Sequence, residues 1–382
     1  MPKADSGLDP TMKATSALSE HPLAAHAVGE VAGTILENLA GAPIDLLVVF
    51  IDSVHTGAVE DMSAALRELL SPSTMIGSTA SGVLERNAEV EDRSALAVWA
   101  ASGLSAVPFR IEPGEVAPRS GWSGVPHDHA VVLADPFSSP ALDMLDAAKN
   151  EAPHLKINGG LASAARGPSG NRLLLDDAVF DSGAIGVALD GVPMRSVVSQ
   201  GCRPIGEPFT VTGVAGNVIT ELASQRPMDV LRRIADTASD ADKALLAGGL
   251  HVGLAIDEGQ HEHTRGDFLI RSVMGADPDT GAIAIGANAE VGTTIQFQVR
   301  DASTATDDLI DMLAERNATA ALTFTCNGRG EHLFGRSGHD AELVHELTGS
   351  RATSGMFCAG EFGPVRSENH LHGFTASTLL FG

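Results

Sequence analysis

The sequence contains no tyrosine, and aromatic residues make up only 4% of its 382 positions. A buried core must therefore consist mainly of Ala, Val, Leu and Ile, which the hydrophobic fraction of 43% can supply. The sequence also lacks an uncharged apolar run long enough to span a bilayer. Its length predicts two or three globular domains, and no membrane partner is expected.

Cysteine is scarce: the chain has Cys202, Cys326 and Cys358, and it has no CxxC motif. An odd, widely spaced set argues against a disulfide framework and fits a reducing cytosol, and the missing CxxC argues against a zinc ribbon. The N-terminus has lysines but no continuous apolar segment of the kind found in signal peptides. We therefore expect a cytoplasmic protein.

Positive charge is also in short supply. The 25 Lys and Arg residues face 49 Asp and Glu residues, which gives a net charge of −24 at pH 7. No basic run compensates for this excess, so the polyphosphate backbone of a nucleic acid would be repelled. Nucleic acid is not expected as a partner, and an anionic membrane surface is excluded for the same reason.

Three stretches share one order of elements, which is an apolar strand, a helix, and a short apolar run that opens into a glycine-containing loop. These elements are predicted at residues 46–51, 58–70 and 75–82, at 131–134, 140–150 and 157–163, and at 320–325, 339–347 and 355–363. The order is typical of βαβ units, whose parallel strands are joined by a right-handed crossover. The uneven spacing argues against a solenoid.

Other elements are expected outside these units. They are a polar, loosely attached segment at 1–19, an amphipathic helix at 21–39, a hairpin of 184–189 with 194–199 around Asp190-Gly191, a helix at 227–234, and a meander of 268–273, 282–285 and 293–299. Parallel units combined with antiparallel meanders predict an α/β fold of mixed α+β type.

The segment 326–330, Cys-Asn-Gly-Arg-Gly, follows the first strand of the third unit. Ligands of α/β proteins sit at the carboxyl ends of strands. Arg329 could there hold a carboxylate or phosphate, with help from the amides of Gly328 and Gly330. The alternative is a tight turn in which Arg329 pairs with a structural carboxylate.

The segment 355–364, Gly-Met-Phe-Cys-Ala-Gly-Glu-Phe-Gly-Pro, ends the third unit. Cys358 or Cys326 could act as a nucleophile if a base such as histidine lies nearby, but no nucleophile signature surrounds either, and packing as small buried thiols is the favoured interpretation. Glu361 could bind an amine or cap a turn.

Further candidates are weaker. Arg203, in the segment 200–206, could reach a ligand or serve the domain junction, and Gly159 and Gly160 could present backbone amides to an anion. Three pairs of histidines have the spacing that places both imidazoles on one side of a strand, but no third ligand is evident, and we predict no metal and no cofactor. The pairs are His127 with His129, His261 with His263, and His370 with His372.

The two glycine-rich segments, the segment 200–206 and the tail 371–375, Leu-His-Gly-Phe-Thr, together resemble the FIST family. This resemblance covers residues 43 to 382. It implies a FIST N-like domain at 43–238 and a FIST C-like domain at 239–382, which follow the polar tail and helix at 1–42. It also implies an intracellular sensory protein that binds a small ligand such as an amino acid.

The leading hypothesis is therefore a non-catalytic, cytosolic sensory protein that binds a small anionic or zwitterionic metabolite. In this hypothesis Arg329 holds a carboxylate and Glu361 an amine, and the signal passes to a separate partner protein; a homo-oligomer is left open. One alternative is a cysteine-dependent hydrolase or transferase that uses Cys358 or Cys326. Another is a scaffold without a small ligand, which predicts an extended apolar surface patch.

Overall fold

A computed structural model describes residues 12–259 and 266–382. Within these ranges the chain forms twenty-five strands and eight helices. The strands are β1 (Lys13–Ser19), β2 (Leu46–Asp52), β3 (Thr74–Ala80), β4 (Gly82–Glu85), β5 (Ala88–Glu91), β6 (Leu96–Ser102), β7 (Ser105–Ile111), β8 (His129–Ala134), β9 (Lys156–Leu161), β10 (Leu173–Leu175), β11 (Ala178–Phe180), β12 (Ala184–Asp190), β13 (Met194–Gln200), β14 (Cys202–Pro204), β15 (Phe209–Ala215), β16 (Val218–Leu222), β17 (Leu250–Ala255), β18 (Phe268–Ala276), β19 (Ile283–Ile285), β20 (Thr294–Arg300), β21 (Ala320–Cys326), β22 (Ala352–Cys358), β23 (Glu361–Val365), β24 (Glu368–His372) and β25 (Thr375–Phe381). The helices are α1 (Ala24–Leu39), α2 (Val59–Leu70), α3 (Ala141–Glu151), α4 (Pro227–Thr237), α5 (Asp240–Ala247), α6 (Ala302–Leu313), α7 (Gly330–Phe334) and α8 (His339–Thr348).

Three six-stranded sheets have the same strand order. Sheet 1 is β1-β6-β2-β3-β10-β11, sheet 2 is β7-β12-β8-β9-β23-β24, and sheet 3 is β13-β25-β21-β22-β4-β5. The third and fourth strands of each sheet are parallel and are joined through a helix, which confirms the three predicted βαβ units. The predicted mixed α+β class is confirmed as well.

The last two strands of each sheet form a hairpin that comes from a different unit. The hairpin β4–β5 follows the first unit in the chain but pairs with β22 in sheet 3. The hairpin β10–β11 follows the second unit but pairs with β3 in sheet 1, and β23–β24 follows the third unit but pairs with β9 in sheet 2. Each unit therefore completes the sheet of another unit in a closed cycle.

The inner faces of the three sheets pack on one shared hydrophobic core. The ring centroids of Phe50 in sheet 1 and Phe324 in sheet 3 are 6.0 Å apart, and Ile185 of sheet 2 belongs to the same cluster. Helices cover the outer faces, with α1 and α2 on sheet 1, α3 on sheet 2, and α6 and α8 on sheet 3. Because the core is shared, no unit can bury its inner face alone.

The second parallel strand of each unit carries a glycine at its fourth position, where the strand passes very close to the carbonyl oxygen of its neighbour. A side chain there would collide with backbone, which cannot move aside. An added Cβ atom would lie 2.4 Å from the Val49 oxygen at Gly77, 1.9 Å from the Val132 oxygen at Gly159, and 1.9 Å from the Thr323 oxygen at Gly355.

A closed antiparallel barrel is inserted between β13 and α6 of the third unit. Its strands pair in the order β20-β15-β16-β19-β18-β17, and the pairing of β17 with β20 closes the ring. Helices α4 and α5 pack against its apolar core, and β14 extends the same edge of β20 as β15 does.

The helices predicted at 21–39 and 227–234 are confirmed as α1 and α4. In α1 the buried residues recur every three to four positions, so one face of the helix covers sheet 1. The loosely attached segment predicted at 1–19 is wrong over 13–19, because Lys13–Ser19 pairs with β6 as strand β1; residues 1–11 lie outside the described ranges.

The predicted hairpin around Asp190-Gly191 is also wrong. Both strands exist, but β12 pairs with β7 and β8, whereas β13 pairs with β25, because β12 takes an inner position of sheet 2 and β13 takes the edge position of sheet 3. The predicted meander is correct for β18 with β19, but β20 pairs with β14, β15 and β17. The domain limits at 42 and 238 stay predictions, although strands from both sides of 238 share sheets 2 and 3.

Candidate functional site

The carboxyl ends of the second parallel strands of all three units meet. The Ser163 hydroxyl accepts a hydrogen bond from the Ser81 N–H at 2.9 Å and donates one to the Phe357 carbonyl at 2.6 Å. The Ala359 N–H donates to the Leu161 carbonyl at 3.0 Å. The three glycine loops predicted from the sequence therefore converge, and they pack directly on one another.

Arg329 lies just after β21 and is completely buried. Its Nε and Nη2 atoms donate to the two carboxylate oxygens of Asp340 at 2.7 and 2.8 Å, and its guanidinium lies 5.2 Å from the centroid of the Phe334 ring. Burial alone would raise the pKa of Asp340, but the Arg329 charge and hydrogen bonds hold that pKa well below its usual range. This geometry matches the alternative in which Arg329 pairs with a structural carboxylate.

Glu361 is also completely buried, at the start of β23. Its Oε2 accepts hydrogen bonds from the Thr375 hydroxyl at 2.7 Å and the Thr375 N–H at 3.2 Å, while Oε1 has no hydrogen-bond partner in the described part of the chain. Burial raises the pKa of Glu361 to about 8, so the carboxyl group is mostly protonated at neutral pH. A neutral carboxyl offers no charge to a ligand ammonium group.

Cys326 and Cys358 occupy paired positions at the ends of β21 and β22. Burial raises the pKa of both thiols, and the Glu361 carboxyl raises each further. Cys358 Sγ donates to the Met356 carbonyl at 3.6 Å, and no histidine of the described ranges is hydrogen-bonded to either sulfur. The arrangement favours neutral, packed thiols over an activated nucleophile.

The predicted glycines are packed tightly around this cluster. An added Cβ at Gly160 would lie 2.5 Å from Cys358 Sγ, and one at Gly328 would lie 2.9 Å from the Phe374 ring. Gly330, with a φ of +64°, faces the Glu91 carboxylate, and Gly159 packs against β8 as described above. Arg329, Glu361, both cysteines and these glycines therefore lie at one end of the units.

Arg203 lies apart from this cluster, in β14. Its guanidinium pairs with the carboxylate of Asp242 in α5 and with that of Asp301, the latter at 2.6 Å. The Arg203 side chain is 29% exposed. It therefore ties the barrel to the start of α6.

An open cleft of about 390 Å³ lies directly over the cluster, between the barrel and the ends of the units. This volume is typical of small-molecule sites. The Ala359-Gly360 loop forms part of the cleft wall and covers Cys358 and Glu361. The lining residues are Leu142, Ile270, Arg271, Ser272, Met274, Gly286, Ala359, Gly360, Leu371, His372, Gly373 and Phe374.

Among the described residues of this lining, Arg271 of β18 is the one that carries a charge. Its Nη1 donates to the Ile270 carbonyl at 2.9 Å, and among the described residues no carboxylate lies within ion-pair distance of it. Burial lowers the pKa of Arg271 to about 10. A partly desolvated guanidinium that lacks a carboxylate partner among the described residues has the chemistry to bind an anion.

The histidines of β24 lie beside this charge. Burial lowers the pKa of both His370 and His372, the latter to about 3, and the positive charge of Arg271 lowers each further. His372 Nε2 donates to the Gly363 carbonyl at 3.0 Å. The described ranges contain no group of three His, Cys, Asp or Glu side chains arranged to hold a metal, and His261 and His263 lie outside those ranges.

Sequence reasoning missed Arg271 because no glycine motif marks it. The signal that could have identified it is a single arginine within the otherwise apolar strand segment 268–273, Phe-Leu-Ile-Arg-Ser-Val. A charge in such a strand must find a partner, reach solvent or serve a ligand.

The fold defines a class of protein in which three interlocked βαβ units carry an inserted barrel, with a cleft between the units and the barrel. Residues 45–225 match the model of the FIST N domain, and residues 227–364 match that of the FIST C domain. The chain belongs to the FIST family, whose domains are associated with signal transduction and ligand sensing. The resemblance predicted from the motifs is thereby confirmed.

Two curated relatives are similar over nearly their whole length. An uncharacterized protein of Mycobacterium tuberculosis is 41% identical over 377 residues, which cover 95% of this chain and 98% of the relative. An uncharacterized protein of Mycobacterium bovis is 40% identical over 371 residues, which cover 94% and 96% respectively. Among the helices of the described residues, none combines the length and apolar character needed to cross a bilayer.

Proposed function

We propose that this protein senses a small anionic metabolite, which binds in the cleft between the barrel and the three units with its anionic group on Arg271. The observation that carries the proposal is the guanidinium of Arg271, which lines the cleft with no carboxylate within ion-pair distance among the described residues. Carboxylates outnumber cationic side chains about two to one in this chain. A partly buried arginine that lacks a carboxylate partner among the described residues is therefore unusual and more significant.

Arg271 here takes the anion-binding role that the sequence had suggested for Arg329. Arg329 already holds Asp340 in a bidentate pair and is completely buried, so a ligand would have to displace a desolvated ion pair to use it. In the proposal Arg329 and Glu361 support the loops that form one wall of the cleft. Gly360 and Gly373 supply close backbone approach on that wall.

The mechanism that follows is a population shift. A ligand in contact with both β18 of the barrel and the loops of the units binds best to the arrangement in which both walls are close. A separate partner protein would then distinguish the liganded from the unliganded arrangement. A ligand at 100 times its Kd would add about 2.7 kcal/mol to the stability of the folded state.

A thermal-shift screen of carboxylates, phosphate and amino acids tests the proposal. We expect at least one anion to raise the melting temperature of the wild type and to lose this effect in the Arg271→Met variant. The matched control is Arg233→Met, since Arg233 is an exposed arginine of α4 that packs on the same barrel. An anion that stabilises wild type and Arg271→Met equally would contradict the proposed site.

The ligands expected from the family resemblance include amino acids, which are zwitterions, and the same screen addresses them. An amino acid would need a partner for its ammonium group as well as Arg271. A pull-down from native cytosol with and without the stabilising anion would identify a partner whose binding depends on the ligand.

A further inference from the structure

We infer that the cleft selects a carboxylic acid with an apolar arm and rejects the corresponding amino acid. This inference rests on the proposed function, because it concerns the ligand class of the same cleft. It depends on three features of the described lining residues: a single cation, apolar walls, and the absence of an ionised acidic group.

The first feature is the single cation. Arg271 provides a forked donor suited to a carboxylate, and its Nη1 is already held by the Ile270 carbonyl. The two histidines nearby are neutral because burial lowers their pKa, with His372 at about 3, so neither adds a second positive charge. One cation fits one anionic group, which favours a monoanion over a diacid.

The second feature is the apolar surface around Arg271. Leu142 and Met274, which are 44% and 71% exposed, stand at the cleft together with Phe374. Exposed large apolar side chains beside a partly buried cation form a surface for a ligand that has both an anionic group and an apolar arm. Burial of that arm would cover side chains that water now reaches.

The third feature is the set of groups that would surround the ammonium group of an amino-acid ligand in the cleft. The lining residues that the structure describes include no Asp or Glu. Glu361 lies behind the Gly360 wall, its Oε2 is bonded to Thr375, and burial raises its pKa to about 8, so it is mostly uncharged at neutral pH. An amino-acid ligand would therefore place its ammonium group near the Arg271 charge without a carboxylate to compensate it.

A matched set of three probes tests this inference: hydrocinnamate has the carboxylate alone, phenethylamine the ammonium alone, and phenylalanine both. By isothermal titration at neutral pH, we expect hydrocinnamate to bind at least about tenfold more tightly than phenylalanine, and phenethylamine not to bind. Hydrocinnamate binding should be lost in Arg271→Met and retained in Arg233→Met.

A pair of leucine variants tests the apolar arm. Leu142→Ala should weaken hydrocinnamate about tenfold and leave acetate unchanged, because only the longer acid reaches the apolar wall. The control is Leu69→Ala, since Leu69 is similarly exposed, at 50%, but lies on α2 away from the cleft. Equal effects of the two variants on hydrocinnamate would count against the apolar wall.

The outcomes separate the two proposals. Phenylalanine binding as tightly as hydrocinnamate, with both lost in Arg271→Met, would overturn the selection against amino acids and leave the anion site standing. Binding of hydrocinnamate that does not change in Arg271→Met would overturn both. If no probe binds while a compact anion such as phosphate binds through Arg271, the apolar-acid class is rejected and the anion site is supported.

Discussion

The Glu89 carboxylate of β5 lies against the backbone of Asp340 at the start of α8, although the two residues are 251 positions apart in the chain. Its Oε1 accepts hydrogen bonds from the N–H groups of Asp340 at 2.9 Å and Ala341 at 3.0 Å, and its Oε2 accepts one from Gly338 at 3.0 Å. The hairpin that the first unit donates to sheet 3 thus also caps the helix of the third unit.

Loss of this cap should destabilise the protein. Glu89→Ala leaves three N–H groups at a buried helix start without an acceptor, and we expect a loss of about 2–3 kcal/mol in the free energy of unfolding. Glu89→Gln keeps one acceptor oxygen and should lose less. Urea denaturation measures both, with the exposed Glu331→Ala as control. A Glu89→Ala loss no larger than that of the control would show that the cap is not important.

Removal of Arg329 should be more damaging. Arg329→Met leaves the Asp340 carboxylate buried without its bidentate partner, and we expect a loss of about 3–5 kcal/mol. The double variant with Asp340→Asn should recover part of that loss, because the uncompensated charge is gone. The control is Arg336→Met, which breaks the exposed ion pair with Glu342 and should cost less than about 1 kcal/mol. If the loss in the double variant equals the sum of the losses in Arg329→Met and in Asp340→Asn, this account is contradicted.

Stability should fall with pH above neutrality because of Glu361. Burial raises the pKa of Glu361 from 4.5 to about 8, so between these values the folded state holds a proton that the unfolded state has released. The folded state then binds more protons, and its stability decreases as pH rises. Buried His251 and His372, with pKa values lowered to about 4 and about 3, act in the opposite direction only below about pH 6.5.

The measurement is the free energy of unfolding between about pH 6.5 and about pH 8, where the wild type should lose up to about 2 kcal/mol from this group. Glu361→Gln should flatten that slope, whereas the exposed Glu368→Gln should leave it unchanged. Parallel slopes for wild type and Glu361→Gln would show that the Glu361 carboxyl is already ionised in the folded state.

The repeated glycine of the three units gives a set of matched variants. Alanine at Gly77 or Gly355 would place a Cβ atom into backbone of the neighbouring strand, and we expect a loss of about 1–3 kcal/mol for each. Gly29→Ala, on α1 with no atom near the added Cβ, should be neutral or slightly stabilising. Denaturation midpoints measure all three, and a neutral Gly355→Ala would contradict the close approach of β22 to β21.

The three thiols should be unreactive in the folded protein. Cys202, Cys326 and Cys358 are buried, and burial raises the pKa of each, that of Cys202 to about 12. Iodoacetamide at neutral pH should therefore label them far more slowly than in urea, as intact-mass measurements would reveal. Rapid labelling of Cys358 alone would instead support the cysteine-dependent alternative.

Local patterns predicted the βαβ units well, because strand, helix and glycine loop follow one another within each unit. The partners of short strands were not predictable in this way. Nothing in the segment 82–91 indicates that its hairpin pairs with β22, since the choice depends on where the chain leaves the shared core. The Asp190-Gly191 turn showed the limit of local reasoning, because a strong turn signal joined two strands that belong to different sheets.

The sequence predicted where the candidate site lies in the chain, but it predicted only some of the residues that form it. Glycine and cysteine motifs located the end of the third unit, and the repeat of the βαβ unit placed a similar loop at the end of each of the other two. They did not reveal that Arg329 already has a buried partner in Asp340, eleven residues later, because a sequence does not show which charges are paired. Arg271 was overlooked because its proposed role depends on the lack of a carboxylate partner among the described residues, and only the structure shows which groups surround it.

The cyclic exchange of hairpins determines the order in which the sheets can be completed during co-translational folding. Sheet 1 has all its strands once residue 180 has emerged, but sheet 2 waits for β23–β24 at residues 361–372, and the first unit's hairpin β4–β5 waits for β22. One edge of β4 and one edge of β9 must therefore remain unpaired while about half of the chain or more is synthesised. Unpaired strand edges promote aggregation, so we expect the nascent chain to bind chaperones that cover such edges during translation.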